Sequence, residues 1–190
     1  MTTNTPVMLA QLGELAGTWT IDPSHSQIGF TARHAMVTKV RGAFNEFEGT
    51  VIVDAEDFSK SVATVTIQAT SIDTRNEQRD GHLRSNDFLA MDEYPEITFV
   101  STGVSRTGDT SLELTGDLTI KGTTNPITIP FDFEGTATDP FGNLRAGFEG
   151  SVVINRKDFG VTWNAALETG GVLVSDKITL EFEVSAIKDA

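Results

Sequence analysis

The stretch SVATVTIQATSIDTRNEQRDGHLRSNDFLAMDEYPEITFVS, residues 61–101, changes its hydrophobic period twice. Over Ser61–Ile72, the residues Ala63, Val65, Ile67 and Ala69 share one face of an extended chain; Thr64, Thr66, Gln68 and Thr70 share the other. That is the period of a half-buried strand. From Asn76 to Tyr94 the alternation stops. Thr74 and Glu77 have the spacing of a capping box, Gly81 weakens the helix they would start, and Ser85-Asn86-Asp87 offers a second start for a turn carrying Phe88, Leu89 and Met91. Pro95 forces Tyr94 into extended backbone and ends the helical run; Glu96–Ser101 then resumes the strand rhythm. The reading is a short helix between two strands, either capping one mouth of a β-barrel or crossing the sheet as a surface helix.

The same rhythm extends in both directions. Gln27–Arg33 puts Ile28, Phe30 and Ala32 on one face, and Val37–Glu48 carries Val40, Phe44 and Phe47. A change of parity after Phe44 predicts a bulge, with the bend at Gly42. Thr50–Asp54 reads as a short apolar strand. Leu112–Ile120, Ile127–Phe133, Ala146–Ile154 and Ile178–Ala186 alternate, with turn signals at Asp22-Pro23-Ser24, Ser105–Asp109, Gly122–Pro126 and Asp139–Asn143. Roughly eight to ten strands at hairpin spacing follow. One apolar and one polar face per strand requires a half-buried antiparallel sheet, which a sandwich and a closed barrel satisfy equally. The loop from Asn155 to Thr169 is long and holds Phe159 and Trp163. Ahead of the sheet, Met8, Leu9, Leu12 and Leu15 fit a turn or two of amphipathic helix. Residues 1–17 are therefore expected to be an N-terminal segment, partly helical, packed outside the domain or frayed, and residues 18–190 the β domain.

Composition narrows the function classes. The chain has 190 residues, enough for one domain with a sizeable core, and 38% hydrophobic residues, which suits neither a disordered nor a membrane-embedded protein. Its 12 Phe against 2 Trp and 1 Tyr point to an interior with little polar chemistry. Fourteen basic against 27 acidic residues give a net charge of −13, which should repel nucleic acid and anionic membranes. Without cysteine, disulfides, thiol catalysis and cysteine-type zinc sites are excluded. The first 20 residues lack a basic n-region and a long apolar run, so the expectation is a cytoplasmic protein. A leader already removed would make it extracytoplasmic.

Four blocks carry a family resemblance: TWTIDPSHSQIGFTARHAMVTKVRGAFNEFEG (18–49), RDGHLRSNDFLAMDEYPEITFVS (79–101), GDLTIKGTTNPI (116–127) and INRKDFGV (154–161). In that order they closely resemble the YceI-like, polyisoprenoid-binding family, over about residues 18–187. The resemblance implies an all-β fold, an extended lipocalin-like antiparallel barrel of about eight strands with a short helix capping one end. It also implies a tunnel for a long isoprenoid or other lipid, no catalysis, and a homodimer. Such proteins occur with and without leaders.

If the barrel is hollow, its wall and gate are Ile28, Phe30, Ala32, Phe44, Val65, Ile67, Phe88, Leu89, Phe99, Leu112, Leu114, Leu118, Ile129, Phe131, Phe133, Phe148, Val152, Phe159, Trp163, Leu180 and Phe182. Ala32, Ala63, Ala69, Gly116, Ala146 and Gly150, on the same inward parities, leave room for a ligand or merely relieve crowding in a packed barrel. The polar candidates at the mouth are His25, Arg33, His34, Arg79, Asp80, His82 and Tyr94. No HxH or HExxH spacing supports a metal among the histidines. A Ser26–His82–Asp80 triad lacks the nucleophile elbow. Arg79, Asp80 and His82 are better read as fixing the cap, with Arg84 and Asp87, while His25, Arg33 and His34 either meet a ligand head group or satisfy the barrel end.

The expected function is a soluble, non-catalytic protein that encloses a polyisoprenoid or isoprenoid quinone for transport or storage. No cofactor, metal, nucleic-acid partner or stable membrane insertion is expected. Two alternatives stay open: an enzyme acting on a prenyl lipid or quinone with a histidine acid–base, and a stress-response interaction module with a filled barrel.

Overall fold

The computed structural model describes residues 12–190; Met8 and Leu9 lie outside them. A short helix α1 (Leu12–Leu15) is followed by eleven strand stretches and one longer helix. The stretches are β1 (Gly17–Ile21), β2 (Gln27–His34), β3 (Thr38–Phe44), β4 (Phe47–Val53), β5 (Val62–Gln68), β6 (Ile72–Asp73), β7 (Glu96–Arg106), β8 (Ser111–Ile120), β9 (Thr123–Thr138), β10 (Leu144–Asn155) and β11 (Lys177–Lys188), with α2 (Glu77–Arg84) between β6 and β7.

The first six stretches are three long strands, each interrupted once. β1 pairs with β4 from Gly17↔Val53 to Thr20↔Thr50, and β2 continues against β3 from Ile28↔Phe44 to His34↔Thr38. Likewise β5 pairs with β4 and β6 with β3. With β7 to β11 this makes eight antiparallel strands, closed because β1 and β2 both pair with β11. Among the described residues, closure pairs every long strand on both sides, which protects the sheet against edge-to-edge aggregation.

Each interruption has a local cause. Between β1 and β2, Asp22 caps a tight turn, accepting the Ser24 amide at 3.0 Å. Between β3 and β4 the break falls at Asn45 and Glu46, not at the expected Gly42. Gly42 sits within β3, where an added Cβ would lie 2.3 Å from the Phe30 ring, so the phenyl is what excludes a side chain there. Between β5 and β6 the clean alternation gives way to a turn at Ala69–Ser71, in which the Ser71 hydroxyl donates to the Gln68 carbonyl at 2.7 Å.

Other expectations are also revised. The turn after β8 is only Lys121-Gly122, both at positive φ (50° and 74°), a two-residue hairpin that matches strand twist. Thr123–Pro126 therefore already belongs to β9. Helix α2 is capped by Asn76, which accepts the Arg79 amide at 2.9 Å, and Thr74 is spent elsewhere, so the Thr74–Glu77 capping box does not form. The long loop runs on to Asp176, because residues 166 and 172 bridge to make a small hairpin inside it.

The meander puts α2, the β2–β3 turn, the Lys121-Gly122 turn and the 156–176 loop at one end, the cap end. α1, the 54–61 loop and the 107–110 and 139–143 turns lie at the far end. Leu15, Trp19, Val104, Leu112, Phe133, Ala146 and Ala186 pack together at the far end, and the Trp19 indole donates to the Leu15 carbonyl at 2.8 Å. A larger cluster runs from mid-barrel to the cap, where Phe88, Phe159 and Val161 are buried. Among the described residues, no helix is long and apolar enough to cross a membrane.

Candidate ligand-binding cavity

The inward parities enclose a cavity of about 300 Å³, at the low end of ordinary ligand pockets. Its wall runs from Leu15, Val53 and Phe58 at the far end to Leu83, Phe88, Leu89 and Val174 at the cap, so the void follows the barrel axis. Leu15, Val104 and Leu112 belong both to the wall and to the far-end cluster, which forms the floor. The wall is apolar except at Ser61 and Arg156, and both are engaged by the protein. The Ser61 hydroxyl accepts the Asp54 amide at 3.0 Å. The interior is thus hollow rather than filled.

Of the expected wall and gate residues, Ile28, Phe30, Ala32, Phe44, Val65, Ile67, Phe88, Leu89, Phe99, Leu112, Leu114, Leu118, Ile129, Phe131, Phe148, Phe159, Leu180 and Phe182 line the void. Three do not. Phe133 sits in the floor cluster, its ring 5.3 Å from that of Phe148, just past the register shift between Gly147 and Phe148. Val152 is half-buried beside the main cluster without reaching the void. Trp163 packs into the cap, 4.7 Å from the His82 ring and 5.3 Å from Phe88. Of the two readings of the inward small residues, Gly116 and Gly150 fit relief of crowding rather than room for a ligand. A Cβ at Gly116 would lie 2.5 Å from the Phe99 ring, and one at Gly150 2.6 Å from Phe131, so cross-strand phenyls already cover both.

The expected polar residues do not form one mouth. His25 is on the outer wall toward the far end, its Nδ1 2.7 Å from Asp22, and Asp22 is held 2.8 Å from Arg145, which also reaches Asp139 at 2.8 Å. That charge cluster holds Asp22 well below the usual carboxylate range, chiefly through Arg145, and lowers Asp139 to about 2 for the same reason. Arg33 and His34 are exposed at the cap end, where His34 bridges to Val174 of the long loop. Arg79, Asp80 and His82 do tie down the cap, Arg79 and Asp80 through Thr74 and His82 through the expected Asp87. The buried Asp80 accepts from Thr74, Arg79 donates to the Thr74 hydroxyl and carbonyl at 2.7 Å each, and His82 pairs with Asp87 at 2.9 Å. Arg84 binds the carbonyls of Thr70 and Ile72 and lies 3.3 Å from Glu77. Tyr94 lies over Gly122, where a Cβ would be 2.6 Å from its ring. None of the three histidines lines the cavity. Among the described residues, no three acidic, His or Cys side chains converge as a metal site.

The residue that sequence reasoning missed is Arg156. It stands two residues past Ile154, just beyond the end of β10, continuing that strand's inward parity, and it is 5% exposed. Its guanidinium donates to the carbonyls of Val161 (2.8 Å), Trp163 (2.9 Å), Ser175 (2.9 Å) and Val174 (3.3 Å). Burial lowers its pKa, opposed by Asp176 at 3.8 Å. It gathers the long loop over the cavity from inside. A cation on an otherwise apolar parity, within INRKDFGV, was the available signal.

The YceI-like domain profile matches residues 19–186. The UPF0312 protein SAS2572 of Staphylococcus aureus strain MSSA476 is 43% identical over 169 residues, covering 88% of this chain and 95% of that protein. The crystal structure of Burkholderia cenocepacia BcnA superposes with a TM-score of 0.76 at 25% identity, over 87% of this chain and 98% of BcnA. A polyisoprenoid-binding domain from Saccharophagus degradans, at 13% identity, shares the fold alone, with a TM-score of 0.70 over 90% of this chain and 98% of that one. The chain belongs to the YceI-like family.

Proposed function

We propose that this protein binds an isoprenoid-type lipid, a polyisoprenoid or an isoprenoid quinone, with its hydrocarbon chain along the barrel axis, and carries or stores it. The observation that supports this is the wall: it is apolar except at Ser61 and Arg156, both already engaged by backbone groups, so it favours a hydrocarbon over a polar ligand. Each CH₂ moved from water into such a void contributes about 0.8 kcal/mol, offset by the ordering of a flexible tail. A head group has no buried partner and belongs outside the void. The Saccharophagus fold neighbour is named for polyisoprenoid binding, which agrees with the ligand class.

Binding is favoured over catalysis because the three histidines stand apart, on the outer wall, the rim and the cap. Native mass spectrometry of the gently purified protein, before and after solvent extraction, tests the proposal. A discrete mass excess that extraction removes, and that is identified as an isoprenoid in the extract, is expected. A protein that never carries or takes up such a lipid overturns it.

A further inference from the structure

The basic residues of this acidic chain are unevenly placed. Arg33 and Lys39 are cross-strand partners at the tip of β2 and β3, Arg41 is paired with Thr31 one step down, and Thr31 pairs with Thr179, two residues beyond Lys177. Arg33, Lys39, Arg41 and Lys177 are all exposed. Among the described residues, none of the four is in an ion pair.

Between Arg33 and Lys39 the chain turns through Ala35 and Met36, both at positive φ (50° and 61°), and the turn presents Met36 and Val37, 57% and 76% exposed. The turn is rigidly backed. Ala35 donates to the Leu173 carbonyl at 2.7 Å, His34 bridges to Val174, and Ser175 donates to the Arg33 carbonyl at 3.1 Å. Ala32 and Val174, the residues just behind these contacts, line the cavity. An apolar tip in a basic collar therefore stands at the edge of the void.

The geometry points to the β2–β3 tip as a docking element for an anionic lipid surface, with Met36 and Val37 entering the interface and Arg33, Lys39, Arg41 and Lys177 meeting the head groups. Its use in lipid exchange rests on the carrier reading above. The acidic groups nearest the collar include Asp73, which lies opposite Ala43, two residues along β3 from Arg41, and accepts from the Asn45 side-chain amide at 3.1 Å. Asp176 is engaged by Lys157 at 3.3 Å, Glu181 accepts the Thr31 hydroxyl at 3.2 Å, and Glu168 is exposed on the neighbouring loop. Glu183 is six residues along β11 from Lys177, about 20 Å at ~3.3 Å per residue, which exceeds the roughly 8 Å screening length at physiological salt. The other exposed apolar tip, Phe141 at 89% exposure, lies at the far end beside Asp139 and offers no such collar.

Vesicle co-sedimentation tests the assignment, using the full chain with phosphatidylcholine vesicles, with or without a third phosphatidylglycerol. Binding only to the anionic vesicles, weakened by raising salt from 0.1 to 0.5 M, is expected. Each basic residue near an anionic surface is worth about fivefold in affinity, so Lys39→Gln with Arg41→Gln should weaken binding about twenty-five-fold. Met36→Ser with Val37→Ser should also weaken it, and Phe141→Ser should leave it unchanged. No preference for anionic vesicles, unaffected tip variants, or loss of binding in Phe141→Ser overturns the proposal. Native mass spectra of the same variants keep the two readings separate: a lipid-loaded protein that ignores vesicles sinks only the docking element, and a lipid-free protein that binds vesicles sinks only the carrier reading.

Discussion

Thr74 donates its backbone amide, at 2.9 Å, and its hydroxyl to a single oxygen of Asp80, six residues further on and across the join between barrel and cap. Both residues are buried, so each donor left without its acceptor would carry its full desolvation cost. Asp80→Ala should lower the unfolding free energy by about 1–3 kcal/mol. It should also speed hydrogen exchange across Glu77–Arg84 beyond what the global change explains. Asp80→Asn keeps one carbonyl acceptor and should fall between. Urea midpoints unchanged in Asp80→Ala would refute the role.

Arg156 should act on the long loop more than on the barrel. Its guanidinium is planar and forked, and it reaches four carbonyls of one segment. Arg156→Met keeps the apolar stem and removes every donor. Thermolysin cleavage between residues 160 and 175 should accelerate at least about tenfold, with a smaller loss of global stability, because a loop that opens locally is cut without unfolding the rest. Arg156→Lys should resemble Met more than wild type, since one ammonium cannot serve four diverging acceptors. Equal cleavage of Arg156→Met and wild type would disprove the assignment.

The barrel was legible because alternation is local: each strand shows its inward face in its own residues, as Leu112, Leu114 and Leu118 do on β8. Closure was not, because the pairing of β11 with both β1 and β2 joins residues about 150 or more positions apart and leaves no local trace. The family blocks supplied what periodicity could not. The polar residues were misplaced for a related reason. Asp22, Asp139 and Arg145 look like ordinary turn and surface residues until the fold brings them together, and His25 follows Asp22 to the outer wall. Gly116 and Gly150 read as empty space because a sequence does not say which neighbouring phenyl lies over them.

Acid should weaken the fold through that outer-wall cluster. Arg145 holds Asp139 at about 2, and Asp22 below the usual range too, against about 3.9 for a free aspartate. A carboxylate whose folded pKa is depressed contributes stability that is complete above the unfolded value and is lost as pH falls through the folded one. The loss should therefore run from about pH 4 down to about pH 2. Arg145→Gln should lower stability at pH 7 and flatten that slope. Denaturation curves collected across the window decide it; parallel slopes for the two proteins would show that the cluster is not the source.

Whether a lipid uses the hollow can be tested by one substitution. Leu114 lines the cavity from β8 and is only partly buried, packed at the junction of the two core clusters. In a packed core, Leu114→Trp would overpack and cost about 1–3 kcal/mol. In a void of about 300 Å³ the indole should enter free volume, leaving the thermal midpoint level or raised. The same ring blocks the axis, so lipid retention by native mass spectrometry should fall at least about tenfold. A strongly destabilised variant would mean that the interior is packed at that level, and a stable variant that still carries full lipid would place the ligand elsewhere.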